Sequence, residues 1–294
     1  MTSAERSNVY ERITADILAA IERGADMWRM PWHHDGSPAM RPVNVATGMP
    51  YRGLNILALW AAAEQAGYRR GLWGTYRCWA KLGAQVRKGE RATLAVFWKR
   101  TDRTDASDDD APSRPRMFAR GFSLFNVDQV DNYTAPHAPA LPETQRITHA
   151  DAFIAALNVR VVVGGDMAYY RPTTDTVHLP PFACFKDAVS AVGVSLHEHA
   201  HASGAKHRLD RALTGRFGTF AYAMEEAVAE LTASFVLADL GLACDPRPDH
   251  AAYIASWLEA LRSDPRAIFT AASKAQQAAD WMHAMQPSQA SAAA

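Results

Sequence analysis

The segment His197-Glu-His-Ala-His201 combines the residue types and the spacing best suited to chemistry in this chain. On a helix, residues four apart lie on the same face, so His197 and His201 can direct imidazole nitrogens at one metal ion. Glu198 then lies beside the ion, in the position of the general base of zinc metallopeptidases. Three specified positions out of five also occur by chance, so a metal site requires a third ligand and a helical context.

A third ligand is expected from a second helix, which the run from Tyr222 to Phe235 predicts. This run contains Glu225, Glu226 and Glu230, and the last two share a face because they are four residues apart. We predict Glu226 as the third metal ligand and Glu230 as the hydrogen-bond partner of a ligand histidine, whose tautomer it would fix. Glu225 is the alternative third ligand. Two imidazoles and one carboxylate suit Zn²⁺ best, and they also accommodate Mn²⁺ or Co²⁺.

Two further histidines, His199 and His207, lie in or near the motif and are not predicted as its main ligands. His199 points away from the ligand face and is interpreted as a structural or surface residue. His207 follows the helix stop at Gly204, which is expected to be left-handed, and a role as fourth ligand stays open. The competing interpretation of the whole set is a helix with solvated histidines beside an ordinary acidic helix. The glutamate at the second position of the motif and the E-x-x-x-E spacing favour the metal site.

The elements around the motif predict an α+β fold with two domains. Strands over 159–163, 168–172 and 176–179 precede the motif, and helices over 222–240, 249–262 and 266–284 follow it. A metal-binding helix packs on a sheet in such a domain. Toward the N-terminus, helices are predicted over 8–24 and 54–66 and paired strands over 92–100 and 117–127, joined by a flexible loop over 101–115. The proline-rich stretch 131–145 indicates a linker. We therefore expect one domain over 1–130, a second domain with the metal motif over 146–285 and a disordered tail over 286–294.

Charge and aromatic residues are concentrated in the N-terminal half, although the formal net charge is zero. Residues 41–100 contain eleven Lys or Arg against two acids, whereas the chain from 141 onward contains 12 basic and 16 acidic residues. Six of the eight tryptophans lie in the first hundred residues. Single-stranded nucleic acid needs this combination, because charge tracks phosphates and rings stack on bases. Burial of the tryptophans in a core is the competing interpretation. The predicted DNA contacts are Trp32, Tyr51, Arg52, Asn55 and Trp73, with Arg87, Lys88, Arg91 and Lys99 for the phosphates.

Several classes of protein are disfavoured by the composition. No apolar run approaches the roughly 18–20 residues of a membrane span, and the N-terminus has no signal-peptide core, so a cytoplasmic location is expected. The three cysteines are widely separated, which indicates neither a disulfide framework nor a C-x-x-C metal site. The sequence has no acidic triad or phosphate loop that would support catalysis on nucleic acid.

Motifs spread from about residue 8 to residue 285 carry a family resemblance. They include Pro31-Trp32, Tyr51-Arg-Gly-Leu-Asn55, Trp73-Gly-Thr-Tyr76, Phe125-Asn-Val-Asp-Gln129, His197-Glu-His-Ala-His201, Arg208-Leu-Asp-Arg211 and Glu225-Glu-Ala-Val-Ala-Glu-Leu231. This ordered set resembles the ArdC-type antirestriction proteins. The resemblance implies an N-terminal domain that binds single-stranded DNA, a zincin-like metallopeptidase domain and a bound divalent metal. It also implies a plasmid- or mobile-element-associated protein that protects incoming DNA from restriction endonucleases.

Three functions follow from these features. The first is a DNA-binding antirestriction protein with a metal at His197, His201 and Glu226. The second is an active zinc metallopeptidase directed to protein by its DNA-bound position, with restriction enzymes or another protein as substrate. The two differ in whether Glu198 is needed. The third is a primase-associated accessory in DNA processing, which ranks last because no catalytic motif for nucleic acid accompanies it.

Overall fold

The computed structural model describes residues 3–25, 41–101, 116–135, 141–211, 219–244, 264 and 266–287. Helices and sheets occur together in these residues, which confirms the predicted α+β class. Four sequence predictions lie wholly or mostly outside them: the loop over 101–115, the helix over 249–262, the tail over 286–294 and the DNA contact of Trp32. None of the helices in the described ranges is long and apolar enough to cross a membrane.

In its described residues, the N-terminal half comprises three α-helices, a four-stranded sheet and a two-stranded ribbon. The elements are α1 (Ser3–Ala25), β1 (Val43–Asn44), α2 (Leu54–Ala66), β2 (Leu72–Gly74), α3 (Tyr76–Lys81), β3 (Gln85–Val86), β4 (Thr93–Thr101), β5 (Arg116–Asn126) and β6 (Val130–Asp131). The sheet has the order β1-β2-β5-β4, and β3 pairs with β6 to form the ribbon. Helix α2 ends at Gly67, whose positive φ of 69° closes its C-terminus.

The long antiparallel pair β4 and β5 leaves β4 at the edge of the sheet. An edge strand exposes unpaired backbone groups, and Asn55 of α2 satisfies those of Val96. Its amide nitrogen donates to the Val96 carbonyl at 2.8 Å, and its side-chain oxygen accepts from the Val96 N–H at 2.8 Å. Asn55 therefore fastens α2 to the sheet.

The C-terminal half places a small sheet before a group of helices, as predicted. Its elements are α4 (Glu143–Ala156), β7 (Arg160–Val163), β8 (Tyr169–Arg171), β9 (Thr176–Leu179), α5 (Ala188–Ser203), α6 (Phe220–Leu240) and α7 (Ala267–Ala284). The sheet has the order β7-β9-β8. Helix α5 begins at Asp187, whose carboxylate accepts from the Ser190 N–H at 2.7 Å. It ends at Gly204 as predicted, but with φ −78° rather than in the left-handed conformation, because the chain continues into a further turn stabilised by bonds such as Asp210 N–H to the Ala205 carbonyl.

One apolar core joins the two halves. Residues of α1 and α2, such as Ile17 and Trp60, belong to the same buried cluster as Leu196 of α5 and Phe235 of α6. The rings of Trp60 and Phe235 lie 5.9 Å apart between centroids. The predicted division into residues 1–130 and 146–285 thus falls between two halves that share their interior.

Candidate metal centre

The packing of α5 against α6 brings the sequence motif beside the acidic run. His197 and His201 are one turn apart on α5, and Glu226 faces them from α6. His197 is 4% exposed, and the side chains of His201 and Glu226 are also mostly buried. The helix and the second helix predicted from the sequence are therefore both present and in contact.

Three donor atoms converge on one point between the helices. The two Nε2 atoms of His197 and His201 are 3.2 Å apart. One Glu226 carboxylate oxygen lies 3.4 Å from the His197 nitrogen, and the other lies 3.5 Å from the His201 nitrogen. Ligand atoms arranged tetrahedrally about 2.05 Å from one ion are roughly 3.3 Å from each other. The observed separations agree with that value, so the residues present fit a tetrahedrally coordinated divalent cation. Among the described residues, these three form the one group of three or more His, Cys, Asp or Glu whose ligand atoms all lie within 4.8 Å of one another.

The outer nitrogen of each histidine faces a second carboxylate. His197 Nδ1 lies 3.4 Å from Glu230, and His201 Nδ1 lies 3.4 Å from Glu225. A carboxylate in this position holds the proton on Nδ1 and leaves the Nε2 lone pair free for a metal. Glu230 thus lies where the sequence analysis placed it. Glu225, the alternative ligand, faces the outer side of His201, so the geometry favours Glu226 as the third ligand.

Charges around the site keep the acidic residues ionised. Burial alone raises the pKa of Glu226, but the hydrogen bond from His197 and the charges of both histidines outweigh it and lower the pKa to about 2. Burial likewise opposes ionisation of Glu225, and the hydrogen bonds from His201 and Arg211 lower its pKa overall. Both the Glu226 and the Glu225 carboxylates are therefore ionised at neutral pH.

Arg211 is a buried support of the site that sequence reasoning missed. Its guanidinium donates to both carboxylate oxygens of Glu225, at 2.8 Å and 3.2 Å. It also donates to the Ala200 carbonyl at 2.6 Å and to the Ser203 hydroxyl at 2.8 Å, both near the end of α5. Arg211 therefore links the C-terminus of α5 to α6 and fixes the carboxylate behind His201. The signal was present in the Arg208-Leu-Asp-Arg211 motif, but its partners are distant in sequence.

Arg208 braces the turn after α5 from the other side. It forms a bidentate pair with Asp175 at 2.7 Å and 2.9 Å and donates to the Ala202 carbonyl at 2.9 Å. Its guanidinium lies 5.7 Å from the ring centroid of Trp281 in α7. His207 lies 3.3 Å from Asp175, away from the three converging donors. Its open role as fourth ligand therefore finds no support in the geometry.

Glu198 is buried next to the ligands and opens onto a cavity. It is 7% exposed and lines a space of about 660 Å³ together with Glu230. The rest of the lining is largely apolar and comes from α5, α6 and the segments 166–168 and 184–186. His199, by contrast, is 1% exposed and its Nδ1 lies 2.7 Å from the Ser195 carbonyl, which agrees with a structural role.

The structure does not bring Tyr51, Arg52, Asn55 and Trp73, which were predicted to contact DNA, to one surface. Trp73 is 1% exposed and packs in a core cluster, so no base can reach its ring in this conformation. Both polar ends of Asn55 are used by Val96. Arg52 is exposed but forms an ion pair with Asp280 of α7. Tyr51 is partly buried, and burial raises its pKa to about 12. Trp73 and Asn55 are thus engaged within the fold, through tertiary partners that a local pattern does not reveal.

The predicted phosphate contacts are more accessible. Lys88 and Arg91 are exposed. Arg87 is also exposed, but its guanidinium pairs with Glu90 at 2.9 Å and with Asp131 at 3.6 Å. The side chain of Lys99, in β4, lies outside the described part of the chain, as does the whole of Trp32.

Comparison with known proteins agrees with this arrangement. Residues 148–274 match a family model described as a zincin-like metallopeptidase, and residues 7–125 match the N-terminal domain of anti-restriction factor ArdC. Two crystal structures of the antirestriction ArdC protein from plasmid R388, one metal-free and one with Mn(II) bound, superpose with TM-scores of 0.76 and 0.75. Both are 36% identical in sequence, over 94% of this chain and 97% of theirs. The chain belongs to the ArdC antirestriction family.

Other relatives show how the ArdC-type unit is distributed. A Sinorhizobium fredii protein described as uncharacterized is 62% identical over 95% of this chain and 93% of its own length. Two Escherichia coli proteins, each described as DNA primase TraC, are 33% identical over 95% of this chain. The ArdC-family chain spans only 20% and 27% of those two proteins. The resemblance to ArdC-type proteins seen in the sequence is thereby confirmed.

Proposed function

We propose that this protein binds single-stranded DNA and protects incoming plasmid or mobile-element DNA from restriction endonucleases. The observation that carries the proposal is the 36% identity, over 94% of the chain, with a protein described as antirestriction ArdC. The uneven charge of the sequence supports it, because the eleven basic residues of 41–100 face only two acids and suit a polyanion. Restriction acts on DNA that has entered the cell, so we also propose a cytoplasmic location.

We propose a divalent metal at His197, His201 and Glu226, with Glu230 and Glu225 as hydrogen-bond partners of the two histidines. The support is the 3.2 Å separation of the two imidazole Nε2 atoms, each of which lies 3.4–3.5 Å from one oxygen of the Glu226 carboxylate. Two nitrogens and one oxygen suit Zn²⁺ best, while the R388 protein has been crystallised with Mn(II). When bound, such a cation supplies Lewis acidity for polarising a carbonyl or a water. The chain's own part is to hold the imidazoles in one tautomer and to keep the site covered.

A second candidate function is a metallopeptidase that acts on restriction enzymes or another DNA-bound protein. The observation in its favour is the position of Glu198, which is 7% exposed, neighbours His197 and opens onto a largely apolar cavity of about 660 Å³. A carboxylate held there can accept a proton from a reacting group and return it to a leaving amine. The first proposal requires no such step, because protection can arise from covering the DNA.

The test of protection is a transfer assay. Unmodified plasmid DNA is introduced into cells with and without a restriction system, in the presence or absence of this protein. We expect the protein to raise the yield of transformants in restricting cells alone. An equal yield with and without the protein in restricting cells would refute the antirestriction proposal.

Two variants at the centre separate the candidates. Glu198→Gln keeps the size of the side chain and removes its ability to accept a proton, while Glu226→Ala removes a proposed ligand. If both variants protect DNA like the wild type, occlusion is sufficient. If Glu198→Gln abolishes protection while metal content and DNA affinity stay unchanged, the peptidase function is favoured. Metal analysis of the purified wild type and Glu226→Ala is the accompanying measurement, and equal metal content would overturn the ligand assignment.

DNA binding is tested on the full chain, because the two halves share a core and a deletion of residues 1–130 would remove α1 and α2 from it. Fluorescence anisotropy with a labelled single-stranded oligonucleotide gives the affinity as a function of salt. We expect a steep loss of affinity as salt rises, since displaced counterions drive the interaction. Absence of binding at low salt would refute this part of the proposal.

A further inference from the structure

A shallow cavity of about 580 Å³ lies where α3 meets the ribbon of β3 and β6. Tyr76 and Phe125 form its aromatic side, with ring centroids 6.5 Å apart and planes inclined by 72°. Tyr76 is 51% exposed. It begins α3 directly after the capping residue Thr75, so its position is fixed by the helix start. The cavity therefore offers a held aromatic ring to solvent.

Polar groups at fixed positions accompany this ring. The amide nitrogen of Gln85 donates to the Tyr76 hydroxyl at 3.1 Å and to the Val86 carbonyl at 2.8 Å. The hydroxyl therefore acts as an acceptor toward Gln85 and retains its own proton to donate. The amide oxygen of Gln85 is the atom of that group left to accept a hydrogen bond. A flat ring with one donor and one acceptor beside it matches the face and the edge of a nucleobase.

The charges around the cavity favour a base inside and phosphates at the rim. Arg87 lines the cavity, but Glu90 and Asp131 pair with its guanidinium. The interior thus presents a compensated charge, which does not suit a free phosphate. Lys88 also lines the cavity and is exposed. Arg77 and Lys81 of α3 are four residues apart, and both side chains are exposed on the same face of the helix.

We propose that this cavity is a nucleobase pocket, in which an unpaired base of single-stranded DNA stacks against Tyr76 while Lys88 contacts the adjoining phosphate. The inference rests on the proposed DNA binding and names the site that carries it. It replaces the cluster around Trp73 and Asn55, whose side chains are occupied within the fold. A base in a duplex is stacked on its neighbours and cannot enter, so the pocket gives preference for single strands.

The test compares three variants of the full chain by anisotropy with a labelled oligothymidine. Tyr76→Ala removes the ring, and we expect affinity to fall roughly 5- to 100-fold, as for the loss of one stacked base. Tyr76→Phe keeps the ring and should retain most of the affinity. Phe97→Ala is the matched control, because Phe97 is another exposed aromatic residue, 58% exposed on β4, and should bind like the wild type. Tyr76 is exposed, so its loss leaves the core intact, and the melting temperatures of the variants verify this.

Two further measurements locate the base and the phosphate. An oligonucleotide with 2-aminopurine at one position reports stacking through loss of its fluorescence, and Tyr76→Ala should abolish that quenching. Lys88→Gln should weaken binding about equally for all sequences and reduce the salt slope by about one.

The outcomes distinguish the pocket from the function on which it rests. If the wild type does not bind single strands, the proposed DNA binding fails and the pocket fails with it. If the wild type binds and Tyr76→Ala binds equally well, the pocket alone is wrong. If Phe97→Ala loses as much affinity as Tyr76→Ala, the contact surface extends over β4 and β5, and a discrete pocket is likewise refuted.

Discussion

Replacement of Arg211 by methionine should weaken both the fold and the metal centre. The guanidinium is 4% exposed and its partner Glu225 is 13% exposed, so the ion pair is largely shielded from water. Methionine keeps much of the apolar volume but leaves the Glu225 carboxylate buried without its cation. The carbonyl of Ala200 also loses the guanidinium as a donor at 2.6 Å, while the Ser203 hydroxyl continues to donate to it. The contact of Glu225 with His201 at 3.4 Å remains, but no guanidinium balances the charge of the buried carboxylate.

The cost can be worked out from the loss of one partner. Breaking a buried ion pair in this way costs about 3–5 kcal/mol. At about 2 °C per kcal/mol for a domain of this size, the melting temperature should fall by roughly 6–10 °C. Arg211 no longer holds the Glu225 carboxylate behind His201 Nδ1, and we expect metal affinity to fall by up to about 10- to 100-fold, the effect of removing such an outer partner outright.

Thermal unfolding and titration with Zn²⁺ measure the two effects. Arg208→Met is the matched control, because Arg208 braces the same turn through Asp175 and does not contact a ligand histidine. It should lower stability and leave metal affinity near that of the wild type. The double variant Arg211→Met, Glu225→Gln should recover part of the stability, since a neutral amide tolerates burial better than an unpaired carboxylate. The reasoning is refuted if folded Arg211→Met binds Zn²⁺ as tightly as the wild type, or if Arg208→Met weakens the metal equally.

Three further predictions concern the framework. Asn55→Ala removes both hydrogen bonds to Val96 and should lower the free energy of unfolding by about 1–3 kcal/mol without changing DNA affinity; reduced affinity in the folded variant would restore its DNA role. Gly74→Ala should lower the melting temperature, because its Cβ would lie 3.1 Å from the indole nitrogen of Trp79, which is buried. An unchanged melting temperature would show that the Trp79 ring shifts to make room, and would contradict this prediction. The hydrogen bond from Arg208 lowers the pKa of Asp175 below its usual 3.8, so this pair stabilises the fold above that pH and its contribution is lost as pH falls through the lower folded value. Asp175→Asn should therefore flatten the acid limb of a stability-against-pH curve, and an unaltered limb would contradict the assignment.

The parts of the site that could be predicted from sequence are those governed by local spacing. His197 and His201 share a helix face by periodicity alone, and the same rule groups Glu226 with Glu230. The fold class followed from the order of strands and helices. The geometry then favours Glu226 over Glu225 through the way two helices pack, which no local pattern encodes.

Tertiary packing decided what the sequence could not. Trp73 and Asn55 occur in loop-like, basic surroundings that suggest exposure, yet one ring is enclosed by a core and one amide is occupied by the edge of a sheet. For Arg211 the error is reversed: an arginine after a helix is expected at the surface, whereas here it is buried and paired with Glu225. Asn55 and Val96 are 41 residues apart in sequence, and Arg211 and Glu225 are 14 apart, so neither pairing follows from a local pattern.

Helix α7 has a consequence for how this protein can change over generations. The side-chain oxygen of Gln276 in α7 accepts a hydrogen bond from the Gly53 N–H, and Asp280 pairs with Arg52. Trp281 of the same helix packs against Arg208, which supports the turn after α5. A gene fragment that encodes either half alone would yield a chain with an open apolar face. Transfer of the whole stretch as one block keeps this shared core intact, and selection that acts on either half then preserves both.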